Sequence, residues 1–165
     1  MSNITLTSID YAQLIQYTAW RFHKTKLNKT QINKILFYVY GVFLAEKQGP
    51  LFTDDTPKAW PFGPVFPKVN RVIDINDIPQ FSKEKQDAFS ENKLALNIVI
   101  DAVNLMYNKP AYILTKWSHK AESPWYNTIY EYDKEGKLKE QHPWNTVIQN
   151  YIIQEYFSNN KNREI

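Results

Sequence analysis

Cysteine is absent from the 165-residue sequence, and glycine occurs only four times. Without cysteine the sequence can form no disulfide, carries no thiol nucleophile and offers no thiolate ligand to a metal ion. The glycines, at positions 41, 49, 63 and 136, are too far apart for a phosphate-binding Walker loop or a dinucleotide-binding fingerprint. These absences argue against thiol-dependent enzymes and against the common nucleotide-binding enzymes.

Long apolar runs and a strong net charge are also missing. No stretch approaches the roughly 18 apolar residues of a membrane span, and the first residues, MSNITLTSIDYAQL, lack the basic and apolar regions of a signal peptide. The formal net charge is only +3, and the basic residues are scattered. We therefore expect a cytoplasmic protein whose single domain spans 1–165, with a core at about 8–157 and a flexible tail at 158–165.

Apolar residues at helical spacing predict a mainly α fold of six or seven helices. The segment at about 29–47 is apolar on most sides, so we expect it to be the central helix of a bundle. At most a small β element is expected, near 51–66 or 128–140. The other predicted helices lie at about 8–23, 67–73, 83–108 (with a break near 90), 110–118 and 143–157.

Metal chemistry finds little support in the sequence. The three histidines, at positions 23, 119 and 142, do not have the spacing of a metal-binding motif. Asp54 and Asp55 are adjacent and leave a cation site open, but adjacent carboxylates in a turn are usually only solvated. We expect no metal and no other cofactor.

One histidine could take part in catalysis. His119 has Ser118, Glu122 and Ser123 nearby, which leaves open a small hydrolase with a Ser–His–Glu arrangement. However, Ser123 precedes Pro124, which is the pattern of a helix cap followed by proline in the first turn. We favour the structural role, and expect no catalytic residue and no enzyme activity.

A second alternative is a regulator that binds nucleic acid. Lys24, Lys26, Lys29 and Lys34 form a modest basic cluster near the start of the second helix. A nucleic-acid surface usually needs a denser stripe, so a solvated face is the favoured interpretation. Lys34 differs from the others, because on a mainly apolar helix its charge must either reach the surface or find a partner.

Two proline-containing aromatic turns, WPFGP at 60–64 and HKAESPW at 119–125, suggest a binding module. Proline fixes φ, so such a turn loses little entropy on binding, and large aromatic side chains often dominate interface energies. For Trp60 and Trp125 a core role is at least as well supported, whereas Phe62 and Phe66 need not both point inward. The predicted partner-binding residues are Trp60, Phe62, Gly63, Pro64, Phe66, His119 and Trp125.

Three sequence motifs together resemble the Panacea domain, the SocA-like antitoxin family of bacterial and phage toxin–antitoxin systems. The first is KILFY at 34–38, within LNKTQINKILFYVYGVFLAEKQGPLF. The second is AW at 59–60 followed by GPV at 63–65, and the third is His119 followed by SPW at 123–125. The order and spacing of the three are specific, and the resemblance extends over about residues 8–157.

The resemblance implies a helical domain that neutralises a toxin by direct binding. The partner would be a cognate toxin encoded by an adjacent gene, and some relatives are expected to deliver the toxin to a protease. Family members often carry a DNA-binding segment, and we expect none within these 165 residues. The segment EYDKEGKLKEQHPW at 131–144 is longer than the family pattern and is a possible specificity element.

Overall fold

The computed structural model describes residues 3–47 and 49–165 and confirms a mainly helical fold with a small antiparallel β part. The helices are α1 (Ser8–His23), α2 (Lys29–Lys47), α3 (Pro67–Val72), α4 (Lys83–Glu91), α5 (Lys93–Met106), α6 (Ala111–Ser118), α7 (Pro124–Ile129) and α8 (Asn150–Ser158). The strands are β1 (Lys58–Trp60), β2 (Gly63–Val65), β3 (Tyr130–Tyr132), β4 (Leu138–Gln141) and β5 (Thr146–Val147).

The helix α2 lies in the middle of the fold, as predicted. Every residue from 32 to 44 is buried, so all sides of the helix face other parts of the protein, which are mainly α1, α5, α6 and α8. Its start is fixed by a reciprocal pair of hydrogen bonds. The Gln31 backbone donates to Oδ1 of Asn28 (2.8 Å), and the Asn28 backbone donates to Oε1 of Gln31 (2.9 Å).

The described residues contain eight α-helices, rather than the six or seven expected. The predicted helical region at 83–108 is divided at Asn92, whose backbone is not helical (φ −100°, ψ 72°). The Asn92 side chain accepts a hydrogen bond from the Ala95 backbone (3.2 Å) and so caps the start of α5. The division lies close to the break that the sequence predicts near 90, and a polar capping residue marks it.

β structure forms in both of the segments where it was expected. One sheet has the order β2–β1–β5, and β3 pairs with β4 in a separate hairpin. The predicted last helix at 143–157 begins too early, because α8 starts only at Asn150. The preceding residues bind to β1 and to Pro57 just before it: the Asn145 backbone donates to Ala59 (2.7 Å) and the Ile148 backbone donates to Pro57 (2.9 Å).

Residues 158–165, for which we expected a flexible tail, contact α2 and α8. Asn160–Arg163 forms a 3-10 helix. Arg163 donates to a carboxylate oxygen of Glu46 (3.0 Å) and to the Phe157 carbonyl (2.9 Å), and its own carbonyl accepts a hydrogen bond from Tyr38 (3.2 Å). Of the helices described, none combines the length and the apolar character needed to cross a bilayer.

Candidate partner-binding site

The first aromatic turn is the tip of the β1–β2 hairpin. Trp60 pairs with Gly63 at the end of the ladder, so Pro61 and Phe62 form the turn itself. Gly63 has φ +113°, a conformation that other residues rarely adopt. A Cβ there would also lie 2.6 Å from Oγ of Ser118 and 2.7 Å from Cε of Lys34. Glycine is therefore required by both conformation and space.

The second aromatic turn packs directly against the first. The Trp125 indole donates to the Trp60 carbonyl (2.7 Å), and the Trp60 indole donates to Oδ1 of Asn145 (2.9 Å). The His119 ring stacks on Trp125 with 3.8 Å between ring centroids. Trp144 lies on Trp125 as well, at 6.0 Å. Two segments that are about 60 residues apart in the sequence thus form one rigid aromatic cluster.

The predicted site residues differ in their access to solvent. Phe62 is 73% exposed, Trp60 and His119 are half-buried, and Gly63, Pro64 and Trp125 are buried. The sequence predicts Phe66 as a partner-binding residue, but its side chain is 0% exposed. The Phe66 ring packs against Tyr40 and Phe52 beside α2, so it supports the hairpin from inside the core.

Lys34 is buried beneath the hairpin, with only 2% of its surface exposed. Its ammonium donates to the Pro64 carbonyl (3.2 Å), and no carboxylate in the described part of the chain forms an ion pair with it. Burial lowers the pKa of Lys34 to about 8. The partner that the sequence required is therefore a backbone carbonyl, which leaves the positive charge uncompensated.

The side chains around His119 are bonded to the backbone rather than to one another. Burial, and then the positive charge of Lys34, lower the pKa of His119, while a hydrogen bond with the Phe62 backbone raises it. Ser118 donates to the Thr115 carbonyl (2.9 Å), and Ser123 donates to the Ser118 carbonyl (2.8 Å). Within the described residues, neither hydroxyl is hydrogen-bonded to His119. This geometry supports the structural role over the hydrolase.

Ser123 caps α7, as predicted, by accepting a hydrogen bond from the Tyr126 backbone (3.1 Å). We expect Ser123→Ala to lower the free energy of unfolding by about 1–2 kcal/mol, since it removes this cap and a buried hydrogen bond. Chemical denaturation measures the change, and Ser90→Ala, at an exposed position in α4, is the matched control. Equal stability of the two variants would contradict the capping role.

The Asp54–Asp55 pair forms protein contacts instead of a metal site. Asp54 accepts hydrogen bonds from the Ser8 backbone and hydroxyl and pairs with Lys68. Asp55 accepts from the Lys68 and Val69 backbones at the start of α3 (2.9 and 3.3 Å). The two carboxylates therefore bind the first turns of α1 and α3.

A cluster on the β3–β4 hairpin was not anticipated from the sequence. Glu131, Glu140 and His142 each place a potential ligand atom within 4.8 Å of the others. Glu131 and Glu140 are paired across the ladder, and only that register brings the three side chains together. Nε2 of His142 lies 3.2 Å from Glu131, and Lys139 lies 3.4 Å from the same carboxylate. Two basic side chains thus already accompany the acidic pair.

A family model described as "Antitoxin SocA-like, Panacea domain" matches residues 32–126, more than half of the chain. The chain belongs to this family. The match extends from α2 to the start of α7, so it includes both aromatic turns of the Panacea domain and Lys34. The hairpin β3–β4, β5 and α8 lie beyond it. No curated protein and no solved structure matches the chain.

Membership of the Panacea family supports an antitoxin-type role. Such a role requires a surface for a toxin rather than a catalytic site, and it agrees with the backbone-bonded side chains around His119. Most of the aromatic cluster lies in the matched region, and part of it reaches solvent. Trp144 and Asn145 complete this cluster from outside the matched residues.

Proposed function

We propose that this Panacea domain neutralises a cognate toxin by binding it directly through an aromatic face composed of Trp60, Phe62 and Trp144. The observation that carries the proposal is the position of Phe62, which is 73% exposed at the tip of a rigid hairpin. Trp144 is 43% exposed nearby, where Asn145 connects it to Trp60. Large exposed aromatic side chains that form a group commonly mark a protein-binding surface.

The surroundings of the aromatic face favour tight binding. Trp125 and Gly63 hold the hairpin in one conformation before any partner arrives, so little conformational entropy remains to be lost on association. The predicted site residues thereby take different roles in the proposal. Trp60 and Phe62 contact the toxin, while Gly63, Pro64, Phe66, His119 and Trp125 support them from beneath.

The basic residues near α2 give the nucleic-acid alternative no support. The ammonium groups of Lys24 and Lys26 lie over the Trp20 ring, at 5.4 and 5.9 Å from its centroid. Lys29 donates to the Asn70 carbonyl (2.7 Å). Each of these lysines has a local contact, and together they do not form the dense charged stripe that phosphate binding requires.

Phe62→Ala tests the proposed face. We expect it to weaken binding of the toxin encoded by the adjacent gene by about 30-fold, which corresponds to about 2 kcal/mol for an aromatic anchor. Thermal stability should be unchanged, because the side chain is mostly exposed. The measurement is the dissociation constant of the purified pair by calorimetry, together with rescue of growth on co-expression.

Phe22→Ala is the matched control, because Phe22 is 60% exposed at the end of α1, outside the aromatic face. If the wild-type protein neither co-purifies with the toxin nor rescues growth, direct neutralisation is wrong. If the Phe62 variant binds like the wild type, the face is wrong. The half-life of the toxin in cells then separates the two routes, because delivery to a protease would shorten it and simple occlusion would not.

A further inference from the structure

We propose that a cavity beside the aromatic face receives one carboxylate side chain, Asp or Glu, of the bound toxin, and that Lys34 pairs with it. This inference rests on the proposed function and names the chemistry of the contact. The cavity has a volume of about 190 Å³. It is lined by Thr30, Asn33, Lys34, Trp60, Phe62, Gly63, Val65 and Asn70.

The charge of the cavity points to an anion. Among the described residues Lys34 is the only charged one that lines it, and of its three ammonium hydrogens one is donated to the Pro64 carbonyl. An uncompensated charge in a buried position is costly, and an ion of opposite charge with good geometry removes much of that cost. The free protein thus holds a cation ready for a partner that supplies the anion.

The other lining residues match the shape and polarity of a carboxylate side chain. In the described part of the chain, the side-chain nitrogen (Nδ2) of Asn70 and the hydroxyl of Thr30 donate to no other group. Both are therefore free to donate to a bound oxygen. The rings of Trp60 and Phe62 and the Val65 side chain provide apolar walls for the methylene groups of Asp or Glu. At roughly 30 Å³ for each water molecule, the cavity holds several waters that such a side chain would displace.

The number of charges favours a carboxylate over a phosphate group. A phosphate monoester carries a charge of about −1.5 to −2 at neutral pH, and its usual sites supply several arginines or a row of backbone N–H groups. Here a single lysine lines the cavity, and a lysine acts as one compact charge. One carboxylate would therefore balance the site, whereas a phosphate would bury excess negative charge.

The position of the cavity next to the aromatic face indicates that the carboxylate belongs to the toxin. Phe62 and Trp60 belong both to the aromatic face and to the cavity wall. A protein that covers the face must pass over the cavity opening, and a side chain of that protein is the group best placed to enter. Gly63 lines the cavity beside Lys34, where a Cβ would contact both Lys34 and Ser118.

Lys34→Met provides the test, because methionine keeps most of the side-chain volume and removes the charge. We expect it to weaken toxin binding by about 100-fold, the range seen when one partner of a buried charge pair is removed. Lys47→Met, at an exposed position at the other end of α2, should bind like the wild type. A double-mutant cycle combines Lys34→Met with each Asp→Asn and Glu→Gln variant of the toxin. One of these toxin variants should weaken binding to the wild-type protein but cause no further loss of affinity for Lys34→Met.

A second measurement uses probes of known structure. One probe is N-acetylglutamate whose α-carboxyl is blocked as an amide, so that only its side-chain carboxylate is charged. In NMR spectra of protein with 13C-labelled lysine, it should shift the Lys34 Cε resonance saturably. Inorganic phosphate should shift the same resonance less. If wild-type protein binds the toxin and Lys34→Met binds it equally well, the carboxylate contact is wrong while the proposed function stands. If wild-type protein does not bind the toxin, both are wrong. A saturable response to phosphate alone would also overturn the carboxylate assignment.

Discussion

Gly41→Ala is expected to lower the free energy of unfolding by about 3 kcal/mol. In the middle of a helix this change would normally stabilise a protein by about 1 kcal/mol, since alanine is the better helix former. Packing reverses the sign here, because an added Cβ would come within 3 Å of three atoms of the Phe157 ring. Phe157, on α8, is fully buried against α2 and is flanked by the rings of Phe37, Tyr38 and Trp117.

Urea denaturation of the variant measures this effect. Gly49→Ala is the matched control, because nothing lies within 4 Å of the Cβ that it would add; we expect a change within about 0.5 kcal/mol. Adding Phe157→Leu to Gly41→Ala should restore part of the lost stability, since the smaller side chain relieves the overlap. A Gly41→Ala variant as stable as the wild type would show that α2 and α8 are not packed as closely as described.

Lys34→Met is expected to act in the opposite direction and raise the free energy of unfolding at pH 7 by about 1–3 kcal/mol. The pKa of Lys34 falls from 10.5 to about 8 on folding, so burial of its charge costs about 3 kcal/mol at neutral pH. Loss of the hydrogen bond to Pro64 offsets about 1 kcal/mol of the gain. Denaturation of the two proteins at pH 7 measures the difference.

The pH dependence provides an independent check of the same cause. Between about pH 8 and pH 10.5 the unfolded chain holds a proton on Lys34 that the folded protein has released. The contribution of Lys34 to stability therefore rises with pH across this range, and the advantage of the methionine variant should shrink. His119 also faces Lys34, but its lowered pKa leaves it neutral above pH 8. Buried tyrosines such as Tyr11 affect both proteins equally.

A constant difference between the two proteins from pH 7 to pH 10 would contradict this account of Lys34. Lys47→Met, at an exposed position of the same helix, is the control measured alongside. Together with the expected loss of toxin binding, a more stable Lys34 variant would identify Lys34 as a residue retained for function at the expense of stability.

The long helices could be predicted from the sequence because their signals are local. The start of α2 at Asn28 and Gln31, and the cap of α7 at Ser123, depend on residues within one turn of each other. A break in the 83–108 region was expected near 90 and lies at Asn92, but the capping role of Asn92 and the late start of α8 could not be predicted. Asn92 can continue a helix or cap one, and residues 145–148 are extended because β1 lies beside them.

The site was predictable in part for the same reason. The WPFGP turn is a local signal, so the exposed tip at Phe62 agrees with the sequence. The inward position of Phe66 depends on Tyr40 and Phe52, and the support of Trp60 by Trp125 and Asn145 spans 65 and 85 residues. No periodicity reports contacts over such distances. Lys34 was predictable only in part. Its position on an apolar helix showed that its charge needs a partner, but the sequence did not show that the partner is the Pro64 carbonyl.

The β3–β4 hairpin leaves the scaffold and returns to it through fixed points. The His142 backbone donates to the Ile129 carbonyl (2.7 Å) at its base, and Asn145 and Ile148 then donate to Ala59 in β1 and to Pro57 just before it. Because both ends are held, residues can be added or removed at the tip around Gly136 for only a small, logarithmic loop-closure cost. The length and the sequence of this hairpin can therefore differ between otherwise similar chains. A change in the partner that the hairpin recognises need not disturb the helices that keep the domain folded.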